Sequence, residues 1–206
     1  MYARTMTVWG RPSAVDDGIA SVRGSLMPEL ERMPGFVGLS MLADRDTGRC
    51  IAASAWQSEA AMRASGPLIR EVRDRAVRIL GGTVEVTGWE IALMHRNRHS
   101  AEGAPVRVTW VKVDPGGVDS GVGAVKDDVL PVLDELKGHC STSLLVNRVT
   151  GRAVVSSAYE SAEAMERHRT RLIRLRDAIA GRADAEVLDE RVFELAIAHL
   201  RVPERV

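Results

Sequence analysis

Few side chains in this sequence place a titratable or aromatic group inside an otherwise apolar pattern, and those few suggest one kind of chemistry. His168 falls on the stripe Met165, His168, Leu172, Leu175 and Ile179, whose spacing is helical. An imidazole facing a pocket there can take a proton from a bound acidic group; facing the core edge, it can simply hydrogen-bond to nearby backbone. Tyr159 and Trp56 each end an apolar run just before a helix start. A ring in that place walls a pocket or plugs the end of the core, and Tyr159 adds a phenol that could work beside His168 as a catalytic pair. Met62 and Met165, in the helices that follow, are candidates for apolar contact with a ligand, as are Trp9 and Trp110 on earlier strand-like runs. Aromatic residues make up only 4% of the chain, so tryptophans concentrated on strands hint at a lined cavity, with core packing as the other reading.

Hydroxyls at Ser54, Thr142, Ser143, Ser156 and Ser157 fall within apolar runs, where each needs a hydrogen-bond partner or a polar cavity. Arg45, Arg49, Arg148 and Arg152 flank two turn-like segments as a solvated turn or an anion-binding rim. The basic stretch Arg167, Arg169, Arg171, Arg174 and Arg176 reads as a solvated helix face with Glu163 and Glu166 at pairing distance along a helix. The sequence shows no phosphate-cradling glycine loop, no histidine pair at metal-ligand spacing and no nucleophile elbow, so neither a metal nor another cofactor is expected. Lys plus Arg and Asp plus Glu both total 28, giving no net charge to attract nucleic acid. With no long apolar segment, a membrane association is not expected either. Cys50 and Cys140 sit in apolar runs as reduced, buried thiols, consistent with a cytoplasmic protein.

The elements that must position these residues come in two copies. GFVGLSMLADRDTGRCIAASAWQSEAAM, from 35 to 62, is echoed without a gap by GHCSTSLLVNRVTGRAVVSSAYESAEAM, from 138 to 165, an offset of 103. Upstream, Val15, Ile19, Val22, Leu26, Leu30 and Met33 form the stripe of an amphipathic helix, repeated at the same offset by Val118, Val122, Val125, Val129, Leu133 and Leu136. Pro28 and Pro131 lie inside these helices and should bend both at the same place.

Each helix leads to two apolar segments joined by a turn carrying Thr47-Gly48 or Thr150-Gly151, the pattern of a hairpin with glycine at positive φ. A second helix starts after Ser58 or Ser161, whose hydroxyls suit an N-cap, and a last strand closes each copy. There the best offset becomes 104, which predicts a bulge near Asp189. The order is β-α-β-β-α-β, a ferredoxin-like α+β unit. CIAASAW, AVVSSAY and STSLLV do not alternate apolar with charged residues, so both faces of each sheet should be covered. With helices on one face, the other copy's sheet is the obvious cover, giving an intramolecular dimeric α/β barrel. The expected division is a first repeat over 1–94, a linker over 95–105 and a second repeat over 106–200.

Both copies resemble the antibiotic biosynthesis monooxygenase family of the dimeric α/β-barrel superfamily. The resemblance rests on Pro34-Gly35-Phe36, on Trp56-Gln57-Ser58-Glu59-Ala60-Ala61-Met62, and on Tyr159-Glu160-Ser161-Ala162-Glu163-Ala164-Met165 followed by His168. It implies a tandem barrel holding a small aromatic or apolar molecule, with cofactor-independent oxygenation of a phenol or quinol as an activity; a non-catalytic ligand-binding or stress-associated barrel is the alternative. The family's strand-end aromatic is present as Trp56 and Tyr159. Its polar positions are held by Ala52 and Val155, and by Met62 and Met165. The family's haem-binding pattern would need Trp at Ser65 or His168 and His at Arg75 or Ala178, so no haem is implied. Self-association beyond the internal pseudo-dimer is compatible with the resemblance.

Overall fold

The computed structural model describes residues 1–200, the side chain of Leu200 excepted. The first repeat comprises β1 (Tyr2–Trp9), α1 (Val15–Ser21), α2 (Met27–Glu31), β2 (Phe36–Ala43), β3 (Arg49–Trp56), α3 (Glu59–Leu68), α4 (Arg70–Leu80) and β4 (Thr83–Arg96). The second follows with β5 (Pro105–Lys112), α5 (Val118–Ala124), α6 (Leu130–Asp134), β6 (His139–Asn147), β7 (Arg152–Tyr159), α7 (Ala162–Arg167), α8 (Arg169–Arg182) and β8 (Glu186–Leu200). The strands hydrogen-bond in the order β1-β3-β2-β8-β5-β7-β6-β4 and close into a barrel, so the α+β tandem architecture read from the repeat is the one observed.

Two compact units emerge among the described residues, Met1–Trp89 with 194–200, and Glu90–Phe193. Their borders fall inside β4 and β8, not at the repeat boundary expected from sequence. These two strands are long, and every residue of a strand must find backbone partners along its length. In the first unit β8 therefore pairs with β2, with Ala43 opposite Glu194 and Met41 opposite Ile197. In the second unit β4 pairs with β6, with Glu90 opposite Val146. The connection expected over 95–105 is correspondingly shorter, because His95 and Arg96 remain in β4 opposite Thr142 and Ser141.

The stripe of the first helix buries as its spacing requires: Val15, Val22, Leu26 and Leu30 join Met6, Val8, Leu39, Met41 and Trp56 in the core of the first unit. In place of a simple proline bend, both copies widen into a π-helical turn just before the proline, at Val22–Leu26 and Val125–Val129. Pro28 and Pro131 have no N–H to give, and the widened turn accommodates that gap in the hydrogen-bond ladder. Consecutive buried residues along β3 and β7 match strands covered on both faces. Gly48 and Gly151 take positive φ, 77° and 68°, as the hairpins require. A bulge in β8 at Ala196 interrupts the register against β2, and its equivalent in β4 at Ala92 interrupts the register against β6. It belongs to both copies, so the single inserted residue is not its cause.

Candidate functional site

The second unit has a partly open cavity of about 150 Å³ between its sheet and its helices. Alternation along the strands sends Arg107, Thr109 and Val111 of β5, and Val155, Ser157 and Tyr159 of β7, to the same face. Register places Arg107 directly opposite Ser157, and Thr109 opposite Val155. Val125 and Val129 of the π-helical turn, Leu133 of α6, and Leu172, Leu175 and Ile179 of α8 supply apolar walls. The polar groups thus come mainly from the sheet and the apolar ones from the helices. Glu190 of β8 also lines the space, accepting from Thr109 Oγ1 at 3.2 Å and from an Arg176 guanidinium N–H at 2.7 Å.

Arg107 is only 9% exposed, and its ion pair with Glu166 spans 3.5 Å. Its counterpart in the first unit, Arg4, is tied down differently, donating to Ser65 Oγ at 2.8 Å and to the Met62 carbonyl. His168 stands where Ser65 would be, so that hydroxyl acceptor is gone from the second unit. Tyr159 is buried, and burial pushes its phenol up to about 12 against the opposing pull of Arg107.

A hydrogen-bonded chain runs inward to the cavity wall. Asp134 Oδ1 accepts from Asn97 Nδ2 at 2.8 Å and from His95 Nε2 at 2.6 Å. Burial works against the Asp134 carboxylate, but these hydrogen bonds and the nearby histidines outweigh it and hold its pKa below the usual value. Asn97 Nδ2 also lies 3.3 Å from His139 Nδ1, His139 Nε2 lies 2.8 Å from Thr142 Oγ1, and Thr142 Oγ1 lies 2.9 Å from Ser157 Oγ. His139 is buried, and burial lowers its pKa to about 4, so it is neutral at physiological pH. The first unit keeps only the outer pairing of types, with His199 Nε2 at 2.9 Å from a Glu31 carboxylate oxygen but without hydrogen-bond geometry. Inward of it, Phe36 and Leu39 occupy the positions of His139 and Thr142.

Of the residues singled out from sequence as catalytic or ligand-binding, Tyr159 alone lines the cavity, joined by Ser157 from the strand hydroxyls. His168 is the junction between α7 and α8, half-buried, with an unpartnered Nε2; the helix expected to run through it breaks there. Met165 is buried beside it in α7 and does not reach the cavity lining. Trp56 and Met62 are buried in the core of the first unit, where Trp56 Nε1 donates to Ser54 Oγ at 3.1 Å. Trp9 is 42% exposed under the guanidinium of Arg49. Trp110 alternates away from Thr109 and Val111 and stacks edge-on against Phe193 at 6.2 Å. Arg45 and Arg148 form no open anion rim: Arg45 binds Asp16 and Glu194 at 2.5 and 2.9 Å, and Arg148 binds Asp119 and Glu90, both at 2.6 Å.

Sequence reading passed over Arg107, Thr109, Glu190 and His139, and it put Arg176 on a solvated helix face although that side chain lines the cavity. A signal existed for two of them. An arginine in mid-strand of both copies, Arg4 and Arg107, is unusual in an apolar run, and His139 replaces Phe36 within the tightly matched stretch. Among the described residues no cluster of His, Cys, Asp or Glu is arranged to hold a metal ion, and no helix is long and apolar enough to cross a membrane.

No protein-family profile matches the chain. Two curated relatives from Mycobacterium tuberculosis align along its whole length. The uncharacterized protein Rv2557 is 50% identical over 206 residues, covering 100% of this chain and 92% of the relative. The uncharacterized protein Rv2558 is 48% identical over 207 residues, covering 100% and 88%. Among solved structures, a candidate monooxygenase from Lactobacillus acidophilus superposes with a TM-score of 0.71 at 11% identity, covering 100% of this chain and 97% of that one. An anthrone oxidase-like protein gives 0.68 at 12% identity, covering 98% and 94%. A ferredoxin-fold protein from Listeria monocytogenes, related to antibiotic biosynthesis monooxygenases, gives 0.54 at 10% identity, covering 95% of each chain. At these identities the likeness establishes the fold, that of the antibiotic biosynthesis monooxygenase-like barrels carried in one chain.

Proposed function

From the premise that the chain belongs to the family of the Mycobacterium tuberculosis proteins Rv2557 and Rv2558, we propose that its second unit binds a small, mostly apolar or aromatic molecule. The observation that carries this reading is the cavity of about 150 Å³, apolar on its helical side, with Arg107, Ser157 and Tyr159 on its sheet side. A space of that size accepts a single aromatic ring. The few polar groups would orient it. The buried Cys50 and Cys140 thiols fit a cytoplasmic setting for this activity.

Arg107 favours a second reading, cofactor-independent oxygenation of a phenol or quinol. A guanidinium in a partly open, largely apolar space stabilises a phenolate, the electron-rich form that dioxygen attacks. In that case Arg107 and Tyr159 would be the working residues and Glu190 the carboxylate in the cavity lining to receive a proton. His168, away from the cavity lining, would not be the base.

Calorimetric titration with toluene and with phenol tests the binding reading, and saturable one-to-one heat is the expected result. Oxygen uptake with hydroquinones in metal- and flavin-free buffer tests the second reading, comparing wild type with Arg107→Met and His168→Ala. Uptake should depend on Arg107 and survive at His168. No saturable binding by folded protein would remove the binding reading.

A further inference from the structure

The polar chain and the cavity share one residue, Ser157. Its hydrogen-bond polarity follows from the outer end. The Asp134 carboxylate can only accept, so the Asn97 amide must turn its NH₂ toward it, and the same NH₂ faces His139 Nδ1. With Nδ1 accepting, the neutral imidazole carries its proton on Nε2 and donates to Thr142 Oγ1. Thr142 then has its own hydroxyl hydrogen for Ser157 Oγ, and the Ser157 hydrogen is left for whatever occupies the cavity. Directly across the sheet, Arg107 brings a second donor that cannot accept.

The first unit shows the arrangement undone. Leu39 and Phe36 replace Thr142 and His139, and Ser54, the counterpart of Ser157, accepts from Trp56 Nε1 and donates to the Arg4 carbonyl at 3.4 Å. Its hydroxyl is spent within the protein. Tyr159 in place of Trp56 brings no indole N–H, so the second unit frees the serine as well as orienting it.

Resting on the reading that this cavity holds a ligand, we propose that Ser157 is its orienting donor, positioned by Thr142, His139, Asn97 and Asp134. The ligand is then a single-ring aromatic bearing a proton-free acceptor oxygen, a phenolate or an aryl carbonyl, held between the Ser157 hydroxyl and the Arg107 guanidinium. Thr142 and His139 act through Ser157 and are positioning residues.

The test titrates the full chain with three one-ring probes: toluene, which has no acceptor, acetophenone and 4-nitrophenolate. Wild type should bind both acceptor probes about tenfold or more tighter than toluene, the scale of one or two good hydrogen bonds. Ser157→Ala and Thr142→Val should each cut that preference to about threefold or less while leaving toluene affinity nearly unchanged. Thr142→Ser, which keeps the hydroxyl, should retain it. A preference that survives both Ser157→Ala and Thr142→Val in folded protein overturns the proposal and leaves the cavity reading intact. Toluene binding by wild type without any preference for the acceptors overturns it in the same way. Wild type that binds none of the three overturns the cavity reading, and the proposal falls with it.

Discussion

His139 stands edge-on to Tyr159, ring centroids 5.7 Å apart and planes at 73°, where the first unit sets Phe36 against Trp56 at 5.5 Å and 69°. Duplication has kept the shape of the contact and changed its chemistry. The Phe36 and Trp56 pair asks for one hydrogen bond, met by Ser54. A buried imidazole asks for two, because an unsatisfied ring nitrogen in the core costs about 1–3 kcal/mol. Thr142 and Asn97 meet that demand, and the polar chain to the cavity wall follows from it.

That imidazole makes stability depend on acid. Burial holds His139 at about 4 in the folded protein, whereas a histidine in the unfolded chain titrates near 6.5. The unfolded state therefore binds the proton first. Its contribution is complete above about 6.5 and is lost as pH falls toward about 4, roughly 3 kcal/mol over the whole window. Urea denaturation at pH 7 and pH 4.5 should show wild type losing about 2 kcal/mol more than His139→Phe between the two conditions. Equal losses would place the acid sensitivity in other groups.

The cavity should close when the second unit is given residues of the first. Met6 and Leu26 stand at the positions of Thr109 and Val129, within the buried cluster of the first unit. Ala52 and Ala76, the counterparts of Val155 and Ile179, work in the other direction, so position matters more than total volume. Thr109→Met with Val129→Leu should lower toluene affinity by about tenfold or more, while the denaturation midpoint holds or rises. Undiminished toluene affinity in the double variant would mean that the probe sits elsewhere.

The repeat made the fold legible. Helix stripes, hairpin glycines and N-caps recur at one offset, and each was found: Ser58 and Ser161 accept from the backbone N–H of Ala61 and Ala164, both at 3.1 Å. The site was less legible, for a physical reason. Helical periodicity placed His168 on an inward stripe, but periodicity assumes an unbroken helix, and the chain leaves helical geometry at His168 itself, with φ −105° and ψ 3°. The polar residues that line the cavity are set largely by strand alternation, which in β5 turns Arg107 and Thr109 to its face. Differences between the copies at matched positions, His139 for Phe36 above all, carried more functional information than the similarities.

Arg148 tests whether the hairpin rim has any part in binding. It bridges Glu90 and Asp119, holding the Glu90 carboxyl below its usual pKa, but its side chain is 42% exposed and Asp119 is 84% exposed. Solvent and salt screen such pairs. Arg148→Ala should cost about 1 kcal/mol or less and leave probe affinity unchanged. Loss of affinity for 4-nitrophenolate would instead make the rim part of the binding surface.

Two glycines of the second repeat should respond to alanine in opposite directions, because one is required by its backbone and the other is not. Gly151 has φ of 68°, and a Cβ there would meet the Val113 carbonyl oxygen at 2.0 Å. That close approach is what lets Val113 donate to the Gly151 carbonyl at 2.9 Å and seat the hairpin against the end of β5. Neither the backbone angle nor a carbonyl in the way can yield cheaply, so Gly151→Ala should lose more than about 2 kcal/mol. Gly123 lies within α5, and no atom outside its own helix comes within 4 Å of a Cβ built there. Alanine at that position restricts the unfolded chain and favours the helix, so Gly123→Ala should gain about 0.5–1 kcal/mol. Urea midpoints of the two variants, measured together, check both signs. A neutral Gly151→Ala would show that the hairpin can leave β5 without cost, and the register that places Arg107 opposite Ser157 would then need another anchor.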